Sequence, residues 1–357
     1  MRRRNQIAVA ALVTLLLYAC YSLFIAYALG LFSWEVSFAR GLILYKANHL
    51  PQAEQAFRDA NRLLIPSRVY DLPRILTLRR IGHICYEQGK YADAEASYRQ
   101  MLAILDRKPH REDRMITSAL LSLASACYRQ EKLAEAERLY GRAIPIVEKR
   151  RMNSTTLAFA LEGRSDCRFE QKRYKEAEAL CKRSLMIERR AKASELDIAI
   201  TRHRLALIYT DEKRYDEATP IYKEVLAVEE KAYGHESEKV ARLKRELGRN
   251  YMKQKKYKEA EVLLRQSALT YAKRSPDGVG LWRTLYYLSV VCYLDKDYAG
   301  SADALKKALA MNGEFKINPR YNIMILEGLV KCSEKLGKSS DAEKYRKQLA
   351  ALRQSKK

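Results

Sequence analysis

The sequence has little of what interrupts helices: 14 Gly and 8 Pro in 357 residues. That excludes a collagenous or low-complexity chain. With Ala, Leu, Glu, Lys and Arg dominating, it also disfavours a sheet-rich fold. No CxxC occurs, and none of the seven cysteines has a histidine at metal-ligand spacing beside a cysteine pair, so no zinc framework is present. The five histidines, His49, His83, His110, His203 and His235, are isolated from one another, and HExxH, GxSxG and phosphate-loop motifs are absent. No enzyme activity, cofactor or metal is expected from such a residue set. Acid is scarce relative to base, 43 Asp+Glu against 67 Lys+Arg, for a formal charge of +24. A field of that sign draws anionic partners. No nucleic-acid-binding module signature accompanies it, so nucleic acid is not the expected partner.

One long hydrophobic run is present. Ile7 to Phe32 holds 26 residues without a charge, behind Arg2, Arg3 and Arg4. A helix of that length reaches about 39 Å, more than the roughly 30 Å hydrocarbon core of a bilayer. The expected organisation is a basic flank at 1–6, a transmembrane signal anchor at 7–32, repeats over 34–350 and a polar tail at 351–357. Three Arg before the run against Arg40 and Lys46 after it favour a cytoplasmic N-terminus with the repeats translocated. The opposite orientation, and loss of the run as a cleaved signal, are the alternatives.

The organising signal is an internal repeat. The phrases GKYADAEASY (89–98), EKLAEAERLY (131–140), KRYKEAEALC (172–181), KRYDEATPIY (213–222) and KKYKEAEVLL (255–264) recur, with weaker copies at 49–57, 296–305 and 337–346. Their marker residues, Leu50, Tyr91, Leu133, Tyr174, Tyr215, Tyr257, Tyr298 and Ser339, are spaced by 41 or 42 residues. Three residues after each comes a small side chain, from Ala53 and Ala94 to Ala342. Twelve residues before that stands another: Gly41, Gly82, Ala124, Ser165, Ala206, Gly248 and Ser289, failing at Val330. Antiparallel helices approach closely only where bulk is missing, so the two small residues mark a helix–helix crossing. The i, i+3, i+7 spacing of Leu78, Ile81 and Cys85 gives the first helix one apolar face. Five cysteines (Cys85, Cys127, Cys167, Cys292, Cys332) share that half of the unit, with Cys181 in the other half and Cys20 in the apolar run; they read as small buried hydrophobes. One unit cannot bury its own face, so the units must stack.

This pattern resembles the tetratricopeptide repeat family, through the small residue before an aromatic, the Tyr-x-x-Ala phrase and a Tyr or Phe four residues beyond that alanine. The 41–42-residue period and the stretch RYDEATPIYKEVLAVEEKAYGHES (214–237) resemble its kinesin-light-chain subtype. The resemblance implies an all-α, right-handed superhelical solenoid of antiparallel helix pairs, here preceded by one transmembrane helix. It also implies a concave surface lined by the first helices and suited to peptides.

On that surface the residues read as candidates are Arg242, Arg245, Arg249 and Lys253, then Arg79, His83 and Tyr86, then Tyr286 and Tyr293. Residues 239–258 carry nine basic side chains and one acid, Glu246. Three arginines on one stripe can clamp carboxylates. The expected function is a membrane-anchored scaffold that binds a protein or peptide, acidic where it meets this stripe. A secreted or periplasmic repeat protein and an accessory subunit of a membrane enzyme complex are the alternatives. Replacing Arg242, Arg245 and Arg249 together by Ala is expected to abolish capture of an acidic partner, read by pull-down from detergent extract.

Overall fold

The computed structural model describes residues 33–64, 71–107, 113–150, 153–275, 278–314 and 319–354. Among them are sixteen helices and no strand. In order these are α1 (Ser33–Lys46), α2 (Leu50–Leu63), α3 (Asp71–Glu87), α4 (Tyr91–Leu105), α5 (Asp113–Arg129), α6 (Leu133–Lys149), α7 (Ser154–Glu170) and α8 (Tyr174–Arg190). There follow α9 (Glu195–Asp211), α10 (Tyr215–Tyr233), α11 (Glu238–Lys253), α12 (Tyr257–Arg274), α13 (Val279–Leu294), α14 (Tyr298–Glu314), α15 (Pro319–Lys335) and α16 (Ser339–Gln354). Two compact units divide the chain, Met1–Arg173 and Tyr174–Lys357. Helix α7 closes the first and α8 opens the second, and each unit is a stack in its own right.

The turn from each odd-numbered to each even-numbered helix is the same device. The residue two before the marker is left-handed in all eight turns: Asn48, Gly89, Glu131, Lys172, Lys213, Lys255, Lys296 and Gly337, with φ between 60° and 74°. Two backbone bonds then close the first helix, as when Gly89 N–H donates to the Tyr86 carbonyl (3.0 Å) and Lys90 N–H to the Cys85 carbonyl (2.8 Å). This is the Schellman termination. Only two of the eight positions are glycine; the others bear a Cβ in a conformation that disfavours it. In the second unit α9 and α11 begin with side-chain caps, Ser194 Oγ accepting from Asp197 N–H (3.1 Å) and Ser237 Oγ from Val240 N–H (3.3 Å).

The small residue on the first helix has a definite job. A Cβ added at Gly41 would meet the Phe57 ring at 2.9 Å, and one at Gly82 would meet the Tyr98 ring at 2.6 Å. Phe57 is wholly buried and Tyr98 3% exposed, so neither ring can swing aside. The seat therefore receives the large side chain four residues beyond the alanine of the second helix, rather than the alanine itself. Gly248 is similar, facing Leu264 and the Ala260 carbonyl.

Within each unit every helix packs on the next, and successive odd helices also touch: α3 with α5, α5 with α7, and α11 with α13. Even helices make no contact of that extent among the described residues. The odd helices are thus the closely spaced, inner layer of each stack. Cys85, Cys127, Cys167, Cys181, Cys292 and Cys332 are free and buried. Burial pushes the thiols of Cys85, Cys127 and Cys292 up to about 11, which keeps them unreactive.

The expected transmembrane helix requires correction. No helix among the described residues is long and apolar enough to cross a membrane. The most apolar, α13, has 16 residues, about 24 Å against a core of roughly 30 Å, and it carries Arg283. The run at 7–32 on which the anchor was read lies outside the described residues. The single-pass topology, the membrane as a partner and the anchored form of the scaffold are accordingly dropped, and the fold is an all-α helical-pair solenoid.

Seat and open helix positions should respond oppositely to the same change. Gly82→Ala is expected to cost about 1–3 kcal/mol in urea unfolding, because the Tyr98 ring must move. Gly141→Ala on α6, where the nearest atom lies 3.9 Å away, should gain about 0.5–1 kcal/mol. Equal effects at the two sites would contradict the seat.

Candidate partner-binding face

The residue immediately before an even helix is basic at five successive turns, Lys90, Lys132, Arg173, Arg214 and Lys256, and the first four form a ladder. It does not cap its own helix through its side chain at Lys90, Lys132 or Arg214. It reaches back to the previous helix pair instead. Lys90 Nζ lies 2.8 Å from Glu54, Lys132 Nζ 2.7 Å from Glu95, Arg173 Nη1 3.8 Å from Glu137, and Arg214 Nη1 2.7 Å from Glu178. Glu54 and Glu95 are each 7% exposed. Burial alone would raise their carboxyl pKa values. Hydrogen bonds outweigh it, and donation by Lys132, Arg99 and Gln130 holds Glu95 at about 2. Glu178 is likewise held at about 2, by Arg214, Lys182 and Tyr209. Taken one helix at a time, the consensus acids Glu137 and Glu178 give no sign of these contacts. The recurrence of an acid four residues after one marker and a base just before the next was the available signal.

The ladder then changes. At the next rung Thr219 replaces the acid and accepts from Asn250 Nδ2 (2.8 Å) and Gln254 Nε2 (2.7 Å). At the one after, Glu261 lies with Cys292 and Asp297, their ligand atoms within 4.8 Å of one another. Two similar groups, Glu54/Cys85/Asp93 and Glu95/Cys127/Glu135, have their carboxylates taken by Lys90, Arg58, Lys132 and Arg99. A thiol held near 11 is a poor ligand in all three.

The candidate residues separate by unit. In the first, Arg79, His83 and Tyr86 share α3. His83 Nδ1 lies 3.6 Å from Glu87, whose Oε1 accepts from the Tyr45 hydroxyl of α1 at 3.0 Å. Tyr86 is half-buried with its ring edge-on to Tyr91, centroids 5.3 Å apart.

In the second unit, the basic stripe on α11 is not one clamp. Arg245 is buried at 5% exposure, its Nη2 3.0 Å from Glu246, and its guanidinium stands 5.8 Å from the Tyr271 ring centroid. Arg249 is paired to Asp211 of α9 and lies 3.8 Å from Glu246. Only Arg242 and Lys253 of the four are exposed. The single acid of the strip, Glu246, draws the two middle arginines inward, so the triple alanine variant would also break internal pairs. Tyr286 stacks on Trp282 (5.8 Å, 7°), which in turn contacts Tyr321 of α15 at 4.4 Å. Tyr293 stands edge-on to Tyr298 at 5.3 Å.

Two groups near Arg242 were not read from the sequence. His203 on α9 is 7% exposed, and burial first, then Arg242, pushes its pKa down to about 4, so it is neutral at pH 7. Glu229 on α10 is 3% exposed, and burial raises its pKa against the pull of Arg242 and Lys239. Neither carries a sequence signature beyond its place in the repeat.

The tetratricopeptide repeat family profile matches residues 73–149 and 197–268. Over those residues the chain is similar to the tetratricopeptide repeat family, and its fold is an all-α stack of helix pairs. Solved structures with the same fold follow. The signal transduction ATPase PH0952 from Pyrococcus horikoshii, which has a tetratricopeptide repeat sensor, is 17% identical, with 91% of this chain and 48% of that one aligned at a TM-score of 0.63. A tetratricopeptide repeat protein from Parabacteroides merdae is 17% identical over 85% of this chain and 99% of that one, TM-score 0.58. BtubC (BKLC) from P. vanneervenii is 19% identical over 63% and 91%, TM-score 0.55. No curated protein matches the chain.

The ladder makes a pH-dependent contribution of known sign. Glu95 has a folded pKa of about 2 against an ordinary 4.5, so its stabilisation is complete above about pH 5 and fades as pH falls toward 2. Glu95→Gln should therefore lose about 1–2 kcal/mol at pH 7, with the deficit shrinking steadily between pH 5 and 2. A deficit constant over that window would show that the carboxylate charge is not what bridges the helix pairs.

Proposed function

We propose that this protein is a docking scaffold that holds a protein or peptide partner against the odd-helix face of its stacks, and that its repeats are of the kinesin-light-chain type. The 41–42-residue period and the phrase at 214–237 support the subtype. The observation that carries the docking reading is the exposure, on one face of α11, of cations that make no ion pair with another described residue, beside half-buried aromatics on α13. Ladder acids neutralise the bases between helix pairs, whereas Arg242 and Lys253 face solvent on the closely packed side. Arg79, His83 and Tyr86 offer a second, mixed surface in the first unit. Positive charge with aromatic and apolar neighbours suits an acidic peptide.

Cross-linking from defined positions tests this reading. A photoreactive phenylalanine analogue in place of Tyr286 should capture a distinct partner from native extract, while the same group in place of the exposed Val262 on α12 should not. Capture from Val262 alone, or from both positions equally, would place the docking surface elsewhere.

A further inference from the structure

Six residues before the small seat position, the odd helices of the second unit carry Ile200 on α9, Arg242 on α11, Arg283 on α13 and Met324 on α15. These four occupy one register position, spaced by 42, 41 and 41 residues. All are exposed; the two apolar ones are 42% (Ile200) and 40% (Met324) accessible. Neither Arg242 nor Arg283 makes an ion pair or hydrogen bond to another described residue, unlike Arg245 and Arg249. The four helices are neighbours in sequence of stacking. Thr210 of α9 donates to Asn250 of α11 (3.1 Å), α11 touches α13, and Trp282 of α13 contacts Tyr321 of α15. The result is a row reading apolar, basic, basic, apolar across the inner layer.

Packed helices lie about 8–10 Å apart. A polyproline II segment turns once in three residues at a rise of 3.1 Å, and so presents every third side chain on one side at intervals of about 9.3 Å. A β-strand cannot match this, since its like-facing side chains recur every second residue, at about 6.6 Å. A row carried on helices at that separation has the period of a polyproline II segment.

We infer that the second unit binds an extended, polyproline II segment of a partner in which two acidic side chains stand three residues apart, with a large apolar side chain three residues beyond each. The carboxylates pair with Arg242 and Arg283, and the apolar ends cover Ile200 and Met324. This rests on the docking reading above and adds to it the conformation and register of the ligand. Both arginines are already exposed, so the ligand displaces no internal ion pair.

The test uses the full chain and two fluorescein-labelled decapeptides of identical composition, read by anisotropy. One is Leu-Pro-Pro-Glu-Pro-Pro-Glu-Pro-Pro-Leu; the other places the two Glu adjacent at its centre. The spaced peptide should bind about tenfold more tightly, a ratio set by forming two charge pairs in place of one. Arg242→Glu/Arg283→Glu should erase that preference while retaining the helical circular dichroism of the parent, and the same variant should prefer the spaced peptide with Lys in place of both Glu. Equal affinity for the two peptides overturns the register, and if the double variant weakens both equally the docking face still stands. Failure of either peptide to bind also overturns the inference, and the cross-linking from position 286 then decides separately whether the face docks a partner at all.

Discussion

A large side chain seated in a gap on the neighbouring helix sets the geometry of this protein. Phe57 over Gly41 and Tyr98 over Gly82 bring each helix pair into close register, and a seat lacking a Cβ is what lets a ring lie there without strain. Once the pair is fixed, the left-handed turn residue and its two backbone bonds bring the following basic residue to the rim of the previous pair. The inter-pair carboxylate contacts depend on that placement. So does the inner layer of odd helices, which would be a scatter of separate surfaces if the pairs were not spaced regularly.

Charge is used in two ways. Along the first unit and into the second, Lys90, Lys132, Arg173 and Arg214 are spent between neighbouring pairs, on acids that are largely withdrawn from water. Later in the second unit the ladder gives way to neutral hydrogen bonds at Thr219, with Asn250 wholly buried and bonded at both ends of its amide. On the exposed side of α11 and α13, Arg242, Lys253 and Arg283 make no ion pair with another described residue.

Much of the fold was legible because a repeat multiplies each weak local signal by its number of copies. The markers and the seat glycines could be read off the period, and the six cysteines of the described residues are buried, as small hydrophobes of the core should be. The site was legible only in part. Arg242, Arg245, Arg249 and Lys253 share a helical stripe, yet the structure buries Arg245 and ties Arg249 to Asp211, because their counter-ions come from Glu246 and from another helix. The membrane reading failed differently: it rested on the hydrophobicity of a run outside the described residues, and the described helices are too short or too charged to cross a bilayer.

The sequence by itself determined the helical class, the length of the unit and the partners within each helix pair, since these follow from local spacing and residue type. Only the tertiary structure decided which charges are consumed and which are offered. An ion pair depends on the distance between side chains about 36 residues apart, and that distance exists only after the pairs have stacked.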